Sequence, residues 1–245
     1  MVVPMSTLLE ASGIAQRFGS LVVLDGVDFQ LAPGESVGVV GPNGAGKTTL
    51  LSILAGSLRP TSGRVRYEGN DVTGVRADLR CRLGIARTHQ IPRPFVGMSV
   101  FENVLVGAML GRRQAGSRAY ERALDVLQTC GLVDVANRRA ADLGLLDRKR
   151  LELARALATD PKVLFLDEIG GGLTDAEAIE LVGTIKELRR RGIAIIWIEH
   201  IVHILVQAID RLVCLDAGRI IADGLPKDVL ADQAVIDAYL GASVT

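Results

Sequence analysis

The sequence is poor in cysteine. Cys81, Cys130 and Cys214 stand far apart and form no Cys-x-x-Cys pair. That excludes a disulfide framework and the usual structural zinc sites, and it suits a reducing compartment in which the thiols are structural. There is no excess of either charge, 28 Lys plus Arg against 28 Asp plus Glu, so no net basic field exists to hold nucleic acid by its phosphates. The local run Arg189–Arg191 reads as a solvated helix end, where cations suit the carbonyl-rich terminus. Long apolar runs are missing too. Crossing a bilayer takes roughly 20 apolar residues, and the most apolar stretch, residues 193–206, is broken by Glu199, His200 and His203. The opening stretch MVVPMSTLLEASG lacks the basic start and long apolar core of a signal peptide. The expectation is a cytoplasmic protein with no nucleic-acid partner, attached to any membrane through another protein. No internal repeat or low-complexity segment is present.

What the sequence does contain is an ordered α/β pattern. Its 245 residues, 49% of them hydrophobic, suffice for one domain with a sizeable core. Residues 8–14 and 21–29 are apolar-rich and punctuated by Gly13, Gly19 and Gly26, which predicts an antiparallel β layer. Residues 35–40 form a buried-strand candidate that runs into a Gly-rich turn, then a helix with Leu50, Leu51, Ile53 and Leu54 on its apolar face. From about residue 95 to 157 the periodicity is helical, with Val100, Val104, Leu105 and Leu110 in one run and Leu124, Val126 and Leu127 in another. Apolar strand candidates return at residues 163–167, 194–198 and 212–215, with an amphipathic helix through Ile179, Val182, Ile185 and Leu188 between the first two. Strands alternating with helices imply a parallel sheet covered on both faces.

The strongest motif is Gly41-Pro42-Asn43-Gly44-Ala45-Gly46-Lys47-Thr48, which fits G-x-x-x-x-G-K-[ST] between a predicted strand and helix. The glycines permit a close backbone approach that side chains would block. Successive N–H groups and the following helix N-terminus then converge on a phosphate. Lys47 can reach the β- and γ-phosphates of a nucleotide, and the Thr48 hydroxyl can hold Mg²⁺. Downstream, Val163-Leu164-Phe165-Leu166-Asp167-Glu168 is an apolar strand ending in two carboxylates. The first suits a Mg²⁺ coordination shell, and the second can orient or deprotonate an attacking water.

Together with Arg17-Phe18-Gly19, Thr88-His89-Gln90 and Ile198-Glu199-His200, these motifs stand in the order found in ABC transporter ATP-binding subunits, and the chain resembles that family over nearly its whole length. The resemblance implies a P-loop NTPase cassette spanning residues 1–245, with a parallel core sheet, an N-terminal antiparallel β layer and an inserted helical subdomain at approximately 95–157. It implies that ATP and Mg²⁺ are the cofactors and that residues 41–48, with Thr49, hold the phosphates. Phe18 would stack on adenine. Gln90 would sense the metal and the water, Asp167 would bind the metal, Glu168 would be the catalytic glutamate, and His200 would contact the γ-phosphate. His203 is assigned no function.

Two segments depart from the family pattern. Where Leu-Ser-Gly-Gly-Gln is usual, just before a helix expected over residues 148–158, the chain has Leu143-Gly144-Leu145-Leu146-Asp147. In the family this signature caps the ATP held on a second cassette, so Gly144 and Asp147 are the positions that would face that nucleotide. Gly144 supplies no hydroxyl and Leu146 crowds the place of a glycine. After Glu168, Ile169-Gly170-Gly171-Gly172-Leu173-Thr174 replaces a segment that usually begins with Pro, with Thr174 at the cross-dimer contact. The implied partners are transmembrane permease subunits, a second cassette and, indirectly, a substrate-binding protein. The implied location is peripheral, on the inner face of the cell membrane. Residues 84–88 and 98–104, the phrase 149–157 and the short C-terminus look most like branched-chain amino-acid uptake cassettes. Urea, amide and lipopolysaccharide-export cassettes are close alternatives, and a soluble non-transport ABC ATPase is a further one.

Overall fold

The computed structural model describes residues 7–111 and 116–241; the first residues of the stretch read for a signal peptide lie outside them. The chain divides into two units, one built from the chain up to Ala77 and from Ala194 onward, the other from Asp78 to Ile193.

In the first unit, β1 (Leu9–Phe18) and β2 (Leu21–Leu31) pair antiparallel, and β3 (Ser36–Val40) leads into α1 (Lys47–Leu54). Strands β4 (Ser62–Tyr67) and β5 (Asn70–Asp71) complete a four-stranded antiparallel sheet in the order β2-β1-β4-β5. The expected antiparallel layer is there, and it is irregular: the β1–β2 register slips between Ala11 and Ile14 and again around Gln16.

The second unit opens with α2 (Ala77–Leu83) and β6 (Ile85–Arg87), followed by α3 (Val100–Leu110), α4 (Ser117–Thr129) and α5 (Leu145–Ala158). Strand β7 (Val163–Asp167) then pairs parallel with β6, and α6 (Asp175–Arg190) closes the unit. Helices α3 and α5 approach closely because their shared face is small. A Cβ on Gly107 would lie 2.6 Å from the Arg155 carbonyl, and Ala108 and Ala158 are buried. Helix α5 starts three residues earlier than its sequence periodicity suggests, because Gly144 takes the N-cap position in extended conformation and Leu145, Leu146 and Asp147 form the first turn.

Back in the first unit, β8 (Ala194–Ile198) and β9 (Arg211–Asp216) flank β3 in parallel, β10 (Arg219–Gly224) joins β9 antiparallel, and α7 (Val202–Leu205), α8 (Pro226–Leu230) and α9 (Gln233–Gly241) complete the chain. Strands β3, β7 and β8 are buried along their whole length, as continuous apolar runs in parallel sheets should be. Among the described residues no helix is long and apolar enough to cross a membrane.

Burial also silences the thiols. It pushes Cys130 up to about 12 and Cys214 up to about 11, and raises Cys81 from its ordinary value. Fewer than about one in a hundred of the Cys130 and Cys214 thiols is therefore ionised at pH 8, and only the thiolate reacts. Native protein titrated with a disulfide reagent at pH 8 should leave Cys130 and Cys214 unmodified until denaturant is added. Rapid modification of either in the folded chain would contradict their burial.

Candidate functional site

In the first unit, β3 delivers the chain into residues 41–46 at a point where only glycine fits. Gly41 has φ 146, and a Cβ there would lie 1.9 Å from the Leu215 carbonyl oxygen. The Gly41 amide donates to the Tyr239 hydroxyl at 2.9 Å, so the C-terminal helix α9 pins the loop at its first residue. Gly46 takes the N-cap position of α1 with φ 105 and makes no side-chain cap bond; a Cβ there would meet Leu24 and the Val23 carbonyl at 2.7 and 2.8 Å. The first amides of α1 thus keep the open, partly positive end that binds anions. Helices α3 and α6 begin instead on capping boxes, Ser99 with Glu102 and Thr174 with Glu177.

Lys47 is buried, and its ammonium donates to the carbonyls of Gly41 and Pro42 at 2.7 and 2.8 Å. The cation is therefore held inside the loop's own turn, where phosphate oxygens would find it. Asn43, Gly44 and Thr48 are exposed, Ala45 is buried, and Thr49 is half-buried. Phe18 is 51% exposed at the end of β1, which leaves its ring face open for stacking. His200 lies two residues past the end of β8, exposed, with its amide donating to the buried Glu199 carboxylate at 3.1 Å.

In the second unit, the two carboxylates at the end of β7 have different environments. Asp167 is buried. Its Oδ2 accepts from Arg87 at 2.6 Å, while Oδ1 is buried without a hydrogen-bond partner among the described residues. Thr88, fully buried, accepts from the Asp167 amide at 3.3 Å and donates its own amide to Phe165. Glu168 lies in the left-handed region, φ 47, a conformation costing about 1–2 kcal/mol for a residue with a Cβ. Its side chain meets the Gln90 amide group, which donates to Oε2. Its carbonyl accepts from the Gly171 amide at 3.3 Å and from the Lys149 ammonium at 3.3 Å. An orphaned buried carboxylate oxygen suits a magnesium coordination shell, and the strained glutamate beside it suits a hydrolytic role.

The signature segment gives α5 an uncapped N-terminus at Gly144. Leu145 is 47% exposed, and Asp147 is drawn to Arg150 of the next turn at 3.4 Å. Thr174 caps α6, exchanging bonds with Glu177, whose carboxyl lies below its ordinary value because the Thr174 amide and hydroxyl both donate to it.

Sequence reasoning missed Tyr239, Arg87 and the buried pair Lys149 and Glu152. The last two are three apart on α5 between leucines, and that spacing marks one helix face.

A model described as "ABC transporter" matches residues 24–170. The chain belongs to the ABC transporter family. A second model, "Branched-chain amino acid ATP-binding cassette transporter", matches residues 219–245, so the stretch of the cassette that contains Tyr239 is also family-typical. The high-affinity branched-chain amino acid transport ATP-binding protein LivG of Escherichia coli K12 is 37% identical, covering 96% of this chain and 98% of LivG. The corresponding protein BraF of Pseudomonas aeruginosa is 34% identical with the same coverage. The lipopolysaccharide export system ATP-binding protein LptB of Acidithiobacillus ferridurans is 33% identical over 97% of the cassette and 98% of LptB. The crystal structure of the ADP conformation of MJ1267, an ATP-binding cassette of an ABC transporter, superimposes with a TM-score of 0.88 at 32% identity, covering 96% of this chain and 99% of that one. The chain is an ABC transporter ATP-binding subunit whose C-terminal segment matches the branched-chain amino acid cassettes, and the expected α/β P-loop fold is the one observed.

The loop's steric demands are unequal. Gly41→Ala should destabilise the cassette by on the order of 3 kcal/mol or more, because a Cβ collides with fixed backbone. Gly44→Ala, with open space around it, should cost only about 1 kcal/mol for its positive φ. Urea unfolding of the two variants checks this; equal costs would contradict the packing of Gly41 on Leu215.

Proposed function

We propose that the chain hydrolyses ATP to ADP and phosphate as one of two cassettes driving a permease that imports branched-chain or related hydrophobic amino acids. The whole chain serves as one cassette, with residues 95–157 as its helical subdomain. The observation that carries the hydrolytic reading is the Asp167–Glu168 end of β7, where one buried carboxylate oxygen has no hydrogen-bond partner among the described residues and the next carboxylate is met by Gln90. The cargo reading rests on the branched-chain character of residues 219–245 and on the full-length similarity to LivG and BraF.

Each residue's part follows from its own surroundings. Phe18 offers a ring face to the base. The loop amides of residues 41–46, with Thr49 beyond them, bind phosphate oxygens, and Lys47 exchanges its two loop carbonyls for the β- and γ-phosphates. The Thr48 hydroxyl, Asp167 and Gln90 are the groups that would hold Mg²⁺, which when bound neutralises charge on the phosphoryl being transferred. Glu168 accepts a proton from the attacking water or orients it, and Gln90 holds that carboxylate in place. His200 donates to the γ-phosphate. A substrate-binding protein would deliver cargo to the permease, and the cassette would sit beneath the permease at the inner face of the membrane. The similarity to LptB supports an export cassette as the second reading, which cargo stimulation of hydrolysis separates from import.

The signature favours two different cassettes. Gly144 provides no hydroxyl, and Leu145 and Leu146 occupy the first turn of α5, so this chain closes poorly over a nucleotide held by a second copy. Its own loop is intact and would be completed by a partner with an ordinary signature. Solution mass of Glu168→Gln with and without MgATP tests this. The expected result is a monomer that binds ATP, converted to an ATP-dependent dimer by adding Gly144→Ser and Leu146→Gly. An ATP-dependent dimer with the native signature sinks the heteromeric reading.

A further inference from the structure

The polypeptide leaves β6 at Arg87 and enters a stretch, residues 88–95, with no regular secondary structure. Such a segment has no ladder to satisfy or fix its backbone. Here the side chains of one helix do so. Glu152 of α5, 6% exposed, accepts from the His89 amide at 3.2 Å on Oε1 and from the Arg93 amide at 3.3 Å on Oε2. Arg155 of the next turn pairs with the same carboxylate at 3.2 Å, donates to the Arg93 carbonyl at 2.6 Å, and places its guanidinium 4.8 Å above the Phe95 ring. Lys149, 5% exposed, donates to the Gln90 carbonyl at 3.2 Å and to the Glu168 carbonyl at 3.3 Å.

The two bonds of Lys149 join the main chains of the two residues whose side chains meet at the Gln90–Glu168 contact. One ammonium thus sets the backbone on both sides of that contact. It also holds the carbonyl of a residue in a strained conformation, which persists only where its surroundings over-determine it. Burying two charged side chains is costly without partners, and this loop, Glu168 and Arg155 supply partners to Lys149 and Glu152.

We propose that Lys149 and Glu152 are positioning residues for hydrolysis: Lys149 holds the Gln90 and Glu168 backbones to one ammonium, and Glu152 fixes the amides on either side of Gln90. The proposal rests on the reading of Glu168 as the hydrolytic carboxylate.

Two readouts test it. In the cassette assembled with its proposed permease, Lys149→Met should lower kcat for ATP at least ten-fold while KM stays within two-fold, and Lys149→Arg should recover most of the loss. In the full-length chain alone, Glu152→Met should speed hydrogen exchange at the His89 and Arg93 amides at least ten-fold, with the amides of β7 unchanged. A merely structural role would lower Tm and the yield of folded protein but leave kcat per ATP-binding site intact, and that result overturns the proposal, as does a change confined to KM. Unchanged exchange at His89 and Arg93 overturns the clamp itself. Glu168→Gln run in parallel separates the premises: if that variant retains full turnover, the assignment of Glu168 fails whatever the exchange data show.

Discussion

The nucleotide half of the structure depends on a buried ammonium. Lys47 is almost removed from water, and an unpaired cation there would be untenable. The carbonyls of Gly41 and Pro42 make it tenable by turning inward. That turn requires Gly41 at φ 146, with no room for a Cβ beside the Leu215 carbonyl, and it requires β3 to be locked between β8 and β9. The Tyr239 hydroxyl then captures the Gly41 amide, so α9 takes part in the same constraint. A loop prebuilt around its cation would lose little order were phosphates to replace the carbonyls, which is the sense in which an electrostatic site is preorganised.

The carboxylate half follows a similar logic with the signs exchanged. Asp167 is buried beside Arg87 and keeps one oxygen without a hydrogen-bond partner among the described residues. Glu168 is bent into an unfavourable conformation and held there from the main-chain side by Lys149 and the Gly171 amide. Acidic groups at the end of a buried strand are aimed when cations and amides are fixed around them.

Much of this was legible from the sequence. The strand-loop-helix around Lys47 is a local pattern in which each residue type is dictated by its own backbone. The buried strands β3, β7 and β8 declare themselves as short apolar runs. Where α5 begins was harder to read, because Gly144 acts as a cap without a side chain and two leucines continue straight into the helix. The role of Thr174 was readable in principle, since Thr174-Asp175-Ala176-Glu177 is a capping box. Lys149 and Glu152 were not legible: a Lys and a Glu three apart on a helix are ordinarily a solvated face, and only the path of residues 88–95 turns them inward. Tyr239 needed the long-range return of α9, which no local pattern announces.

The most direct test is phosphate release from MgATP by the chain assembled with its proposed permease, wild type beside Lys47→Ala, with and without added leucine. The account predicts leucine-stimulated release in the wild type and a fall on the order of 100-fold in Lys47→Ala, as expected when a cation on the transferring phosphoryl is removed. Full turnover in Lys47→Ala would mean that this loop is not where the complex spends its ATP.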